Sequence, residues 1–465
     1  MVFNSLLFFF TVVPILGIHF ALHRRYPRAD KIAILLYSLF FYGMWNPWFL
    51  FLILFSTYVD YRVALLMEQY PSKKRLLLAV SVITNIGLLS FFKYYNFFVS
   101  TVGLAAKWTG ASLNAPILHV VLPLGLSFYT FEALSYTIDV YRGVLKPQQS
   151  LLNVALFIAF FPHLIAGPIV RAKDLIVQFE RPARVSYPAL ADGILLIVVG
   201  LFMKCVIADN AAARVNPLFA NWQTNSLADN WDAAMMFGVQ VYGDFAGYSA
   251  IAIGLARMMG YRIRANFLSP YGAVGFADFW TRWHISLSSW LRDYVYFSIG
   301  GLRRRRWNLY RNLLITMLIA GLWHGASFLF ILWGALHGIY LCIERWITSS
   351  IRVPHHWARR FAPLGIVATF LLVSITWLLF RASTFSQCGA MMRGLFTGSI
   401  RPHNGERLDF IIISMVLIVE SVGARVNLLR IVAAIPVLRA ALIIFALLAV
   451  YFFSGSGRQF IYFQF

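Results

Sequence analysis

Two histidines stand in a nearly uncharged stretch of the chain, GLWHGASFLFILWGALHG, Gly321–Gly338. His324 follows Arg311 by thirteen residues, which is about 20 Å along a helix at ~1.5 Å per residue. No acidic residue lies nearby in sequence. A neutral imidazole there, with an unperturbed pKa near 6.5, suits a general base. The alternative is a buried histidine hydrogen-bonded between helices. Gly321 and Gly325 flank His324 and allow a second backbone or a substrate to come close. His337, thirteen residues on in a near-echo of the same pattern, reads better as structural.

Four other strings carry polar groups. RWHISLSSWLRDYVY, Arg282–Tyr296, places His284 forty positions before His324. Its Arg282 and Arg292 are donors suited to phosphate or carboxylate, and Asp293 stands ready to orient Arg292 or His284. The bland reading is an interfacial helix with snorkelling arginines. In YGDFAGYSAIAIG, Tyr242–Gly254, Asp244 is either a helix cap or a ligand-facing carboxylate. His163 in FPHLIAGPIVR reads as structural. Glu132 and Asp139 share a helix face and are expected to pair with basic groups such as Arg142.

These residues stand out because of what surrounds them. The chain has 465 residues, 60% hydrophobic and only 12% charged. A soluble domain keeps about a quarter of its residues charged. Apolar runs recur from Leu6–Phe20 to Ala440–Phe453 with no long polar block between them. Lipid is therefore the expected solvent, where each polar group inside a run costs free energy unless it has a partner or faces water. The net charge of +22 lies mostly in short loops. It follows the positive-inside rule, and nucleic-acid binding is not expected. Cys205, Cys342 and Cys388 lack metal or CxxC spacing. No GxGxxG, Walker A, HExxH or GxSxG string occurs, and the histidines are too scattered for a metal site.

The elements that must position these groups follow from the apolar pattern. Roughly 10–13 helices, partial spans included, are expected by the ~20-residue criterion. The first is retained, with its N-terminus outside. The basic loops Arg24–Lys31, Lys73–Arg75 and Arg142–Lys146 are placed on the cytosolic side. Leu151–Val170 breaks the count, because the cations after it would then lie outside. Pro162, Gly167 and Pro168 interrupt it, so a re-entrant segment lining a site is expected. Phe276–Ile299 mixes charges with five aromatic Trp and Tyr residues and reads as one or two short interfacial helices. The run Arg303–Arg306 fixes that face as cytosolic.

Taken together, FKYYNFF, LPLGLSFYTFEALSYTIDVYRG, FPHLIAGPIVR, YGDFAGYSAIAIGLARMMGYRI and FWTRWHISLSSWLRDYVYFSIGG followed by GLWHG resemble the membrane-bound O-acyltransferase family. The opening MVFNSLLFFF and SLFFYGMWNPWFL and the ending FIYFQF agree. The nearest branch acts in bacterial alginate O-acetylation, with relatives acting on cellulose and peptidoglycan. The resemblance covers nearly the whole chain, and the RWHISLS and LWHG pair is its strongest part. It implies a single all-α domain, 1–465: a polytopic helical bundle with re-entrant and interfacial helices around a central tunnel. It also implies His324 and His284 as the catalytic positions. Arg282, Arg292, Asp293, Asp244 and Trp323 of LWHG are the candidates for donor or substrate binding.

The expected donor is acetyl-CoA from the cytosol, with no bound cofactor or metal. Expected partners are membrane lipid, the exopolysaccharide machinery and periplasmic acetyltransferase proteins in a bacterial inner membrane. The acceptor, alginate, cellulose or a protein serine, stays open. The competing readings are a polysaccharide or lipid flippase or transporter subunit, a scaffold subunit of an export complex, or a relative acting on peptidoglycan or in D-alanine transfer. No matching halves of the kind many transporters show are visible.

Overall fold

The computed structural model describes residues 3–110, 116–118, 121–301, 306–351, 354–399 and 406–455. All regular structure among them is helical. Arg303, Arg304, Arg305 and the closing FIYFQF lie outside the described residues. The chain forms two compact units, residues 1–197 with 251–264 and residues 198–250 with 265–465.

The first unit contains α1 (Leu6–Leu22), α2 (Pro27–Gly43), α3 (Phe49–Gln69), α4 (Lys74–Leu89), α5 (Tyr95–Trp108), α6 (Leu126–Tyr141), α7 (Leu151–Ala159), α8 (Phe161–Leu164), α9 (Ala172–Phe179) and the start of α10 (Tyr187–Leu201). Helix starts follow local chemistry. The Ser5 side chain accepts from the Phe8 amide, and Pro27 opens α2, where its missing N–H costs nothing. The stretch expected to be re-entrant is broken as its prolines and glycine require. Helix α7 has nine residues, about 13 Å, too short to cross a bilayer. The chain is buried without interruption from Asn153 to Val170. Glu132 secures it: its Oε1 accepts from the Val170 amide at 3.0 Å and lies 3.0 Å from His163 Nδ1. The partner of Glu132 is thus His163, where a basic group such as Arg142 was expected. Glu132 Oε1 is thus engaged, while its Oε2 is buried with no hydrogen bond among the described residues.

The second unit contains α11 (Asp209–Ala220), most of α12 (Leu227–Met258), α13 (Phe276–Arg282), α14 (Ile285–Trp290), α15 (Arg306–His324), α16 (Phe328–Ser350), α17 (His355–Arg381), α18 (Phe385–Gly394), α19 (Glu406–Gly423), α20 (Leu428–Ala434) and α21 (Pro436–Phe453). The interfacial stretch is two short helices followed by a π-helical turn, Leu291–Tyr296.

Six helical stretches among the described residues are long and apolar enough to span a membrane, or seven if the bent pair Leu408–Gly423 and Leu428–Ala434 is one span. This is fewer than the 10–13 expected, because that range counted partial spans. Leu6–Leu22 is apolar but short. The outer faces are apolar too: Phe445, Leu448 and Tyr451 of α21 are exposed, as lipid-facing residues are.

Glycines set the close approaches. Helices α15 and α16 form a hairpin in which a side chain at Gly321 would strike the Phe330 carbonyl and one at Gly334 the Met317 carbonyl. Small residues at such crossings let transmembrane helices pack backbone to backbone. Gly321→Val is expected to cost about 1–3 kcal/mol, read as a lower unfolding temperature in detergent. An unchanged melting curve would contradict the close crossing.

Candidate active site

His324 is the last residue of α15, at the tight turn into α16. From Arg306 the helix runs nineteen residues, about 28 Å, so the imidazole stands a full helix length from the basic start. Its ring is 3% exposed. The Trp323, Trp333 and Phe380 rings surround it at centroid distances of 4.9, 5.1 and 5.2 Å, all edge-on. A side chain at Gly325 would collide with the Phe330 ring. What comes close at Gly325 is thus a side-chain ring, where a backbone or a substrate was expected; the backbone approach is at Gly321, against the Phe330 carbonyl. Low-polarity walls strengthen any electrostatic interaction the imidazole makes with a reacting group.

His284 lies on the other side of Trp323, at 5.9 Å between centroids. The same indole touches both histidines, which brings the RWHISLS and LWHG strings together. His284 is fully buried, with Phe245 4.6 Å away edge-on. Its backbone is left-handed, φ 42, a conformation that costs a non-glycine residue about 1–3 kcal/mol.

Asn266 holds that geometry. Its carbonyl accepts from the Ile285 amide at 2.8 Å. Its Oδ1 accepts from the Ser286 amide and hydroxyl at 3.1 and 2.8 Å, and its Nδ2 donates to Ser249 Oγ at 3.1 Å. These donors identify Oδ1 as the oxygen. His284 Nδ1, 3.2 Å from it, therefore bears the proton, and Nε2 is the basic nitrogen. Burial pushes the His284 pKa down to about 3, so the ring is neutral.

Removing Oδ1 leaves three donors without this acceptor, at about 1–3 kcal/mol for each one buried. Asn266→Ala is thus expected to lower both the melting temperature and acyl transfer. Full activity and stability in that variant would show that the left-handed His284 needs no such support.

Arg282 Nε bonds Asp278 at 2.7 Å, and its Nη1 bonds the Leu268 carbonyl. Arg292 is bonded twice by Asp293, at 2.7 and 3.3 Å. Asp293 thus orients Arg292, while Asn266 and Ser286 stand at His284 Nδ1. Each arginine carries its own carboxylate, which weakens it as a phosphate site. Asp244 does not cap a helix. It lies inside α12, with Lys204 Nζ 2.7 Å away. His337 Nε2 is bound to Thr376 Oγ1 at 3.0 Å, as its structural reading expects.

Two features escape a sequence reading. Asn266 sits in the polar string RANFLSP and shows no distinguishing context. Lys204 lies in a π-helical turn and meets both Asp209, at 2.8 Å, and Asp244. Among the described residues no group of three or more His, Cys, Asp or Glu side chains is arranged to hold a metal ion.

Known proteins resemble this chain over most of its length. Residues 32–385 match the membrane-bound O-acyltransferase family. The chain is 41% identical over 404 residues to the "Probable alginate O-acetylase AlgI" of Pseudomonas putida, covering 85% of this chain and 80% of that protein. It is 35% identical over 426 residues to the "Peptidoglycan O-acetyltransferase" of Helicobacter pylori, covering 85% and 80%. It is 29% identical over 278 residues to the "Teichoic acid D-alanyltransferase" of Bacillus subtilis, covering 56% and 69%. A helical multi-pass chain whose two histidine strings meet at one tryptophan, matched over most of its length, belongs to the membrane-bound O-acyltransferase family.

Proposed function

We propose that this O-acyltransferase takes an acetyl group from acetyl-CoA on the cytosolic side of a bacterial inner membrane. The acetyl group is passed on for O-acetylation of an exopolysaccharide, directly or through a periplasmic partner protein. The observation that carries the reading is the buried His324–Trp323–His284 cluster, three aromatic rings in contact on two separate chain segments. The relatives named alginate O-acetylase, 39–41% identical over 85% of the chain, favour alginate as the polymer. The peptidoglycan relative supports the second reading at slightly lower identity and equal coverage. D-alanine transfer draws support from only 56% of the chain.

A thioester is already activated, so the step needs deprotonation of the acceptor. The acceptor hydroxyl gives its proton to His324, and its oxygen attacks the thioester carbonyl. The C–S bond breaks, and the thiol leaves after regaining the proton. Direct transfer needs only a base and no acyl-imidazole uphill of the thioester, so we assign His324 the base role. His284, neutral with its lone pair on Nε2, supplies the second functional position. In this reading Arg282 and Arg292 contact the donor's phosphates only with nitrogens left over from Asp278 and Asp293.

The test supplies the chain in nanodiscs with acetyl-labelled acetyl-CoA and the matching periplasmic partner, and offers deacetylated alginate and peptidoglycan fragments side by side. Alkali-labile label on the polymer is the expected result. Label appearing only on peptidoglycan fragments favours the second reading, and no transfer from acetyl-CoA to any hydroxyl overturns the donor assignment.

A further inference from the structure

The first unit holds a cavity of about 170 Å³ that the chemistry above does not use. Arg184, Arg257 and Arg262 line it, with Ser186 and a single carboxylate, Asp192. Asp192 is engaged by Arg257 at 2.7 Å. Arg184 and Arg262 therefore add two positive charges that no carboxylate of the lining offsets.

Their backbones are fixed. The Arg262 amide donates to Gln178 Oε1 at 2.8 Å, and the Arg262 carbonyl accepts from Gln178 Nε2 at 3.0 Å. Gly260, at φ +80, lies so close to the Arg184 backbone that any side chain there would strike it. Tyr261 is buried against Phe179 and Phe160. Lys31 Nζ bonds the Phe179 carbonyl at 3.0 Å, which ties this end of the unit to the basic loop Arg24–Lys31.

A second observation concerns α10, whose first turn forms one wall through Pro188 and Ala189. The apolar helical stretch that α10 opens, Tyr187–Ala220, is long enough to span a membrane. Tyr187, at its start, is 81% exposed and Ile194, one face-repeat on, 44%, so the stretch presents apolar groups outward on the side away from the cavity. The cationic cavity thus sits at the first turn of a stretch long enough to span a membrane. The phosphate at hand at the head of a span is that of a lipid headgroup.

We propose that this cavity binds the phosphate of an anionic phospholipid from the leaflet on the basic-loop side. A juxtamembrane cation contributes about fivefold to anionic-lipid affinity. Native mass spectrometry of the full chain released from nanodiscs of phosphatidylglycerol mixed with phosphatidylcholine tests this. The wild type is expected to retain one phosphatidylglycerol. Arg184→Gln and Arg262→Gln each weaken retention about fivefold, and Arg75→Gln, an exposed cation outside the cavity, leaves it unchanged. Equal loss in the Arg75 variant would reduce the effect to diffuse surface charge and overturn the site. Displacement of the lipid from wild-type protein by inorganic pyrophosphate would show a site for soluble phosphates and overturn the lipid assignment without reliance on any variant.

Discussion

His324→Ala lowers acyl transfer by a factor of about 10²–10⁴, the usual worth of a positioned general base, while the protein remains inserted and folded. The imidazole lies in a shell of Trp323, Trp333 and Phe380 at the tip of the α15–α16 hairpin. That hairpin is secured by Gly321 and Gly334, and neither contact needs the histidine. The loss should therefore appear in the ester content of the polymer at equal protein level in the membrane. His324→Gln, which keeps bulk and polarity without a comparable base, should fail as fully as alanine. Substantial activity in the glutamine variant would mean that the ring only positions substrate.

Lys204→Met unfolds or strongly destabilises the protein, by about 3–5 kcal/mol, the cost of removing one partner from a buried charge cluster. Lys204 Nζ lies 2.8 Å from Asp209 and 2.7 Å from Asp244, with all three side chains at most 3% exposed. The site is built for this meeting. Gly200 and Gly247 bring α10 and α12 into backbone contact, so that a side chain at Gly247 would strike the Gly200 carbonyl and the Lys204 amide. The π-helical turn Phe202–Ala208 follows directly. Without the ammonium, two carboxylates face a low-polarity interior. The triple change Lys204→Met, Asp209→Asn and Asp244→Asn removes all three charges and should recover most of the lost stability, since neutral replacement of a buried cluster is often tolerated. A triple variant no better than the single one would mean that the lysine acts through packing.

Much of this was legible in the sequence. A polar residue in an apolar run must be partnered or functional, and that rule singled out His324 and Asp244. The broken, buried segment follows from Pro162 and Gly167, whose backbone limits are local. Partnerships were less legible, because they join residues far apart in sequence. Glu132 meets His163 across thirty-one positions, and Asp244 meets Lys204 across forty. Lys204 obeys the same rule, a lysine in an apolar run, but one cation among forty carries little weight until its two carboxylates are seen. Asn266 was not legible at all. Its value lies in three bonds to the left-handed turn at His284, and nothing in RANFLSP announces them. The pairing of Arg282 with Asp278, four residues apart on α13, is the kind of helix contact that spacing does encode, and it lowers the weight of Arg282 as a donor site.

Thioester turnover through His324 can be read directly. Purified wild type, His324→Ala and His337→Ala, each in nanodiscs with acceptor and partner, are compared for release of free thiol from acetyl-CoA. His337 is the matched control, a buried histidine on the facing helix that bonds Thr376. The expected result is acceptor-dependent thiol release by the wild type, its loss by about 100-fold or more in His324→Ala, and its survival in folded His337→Ala. Thiol release by His324→Ala at the wild-type rate, in the presence of acceptor, would contradict it.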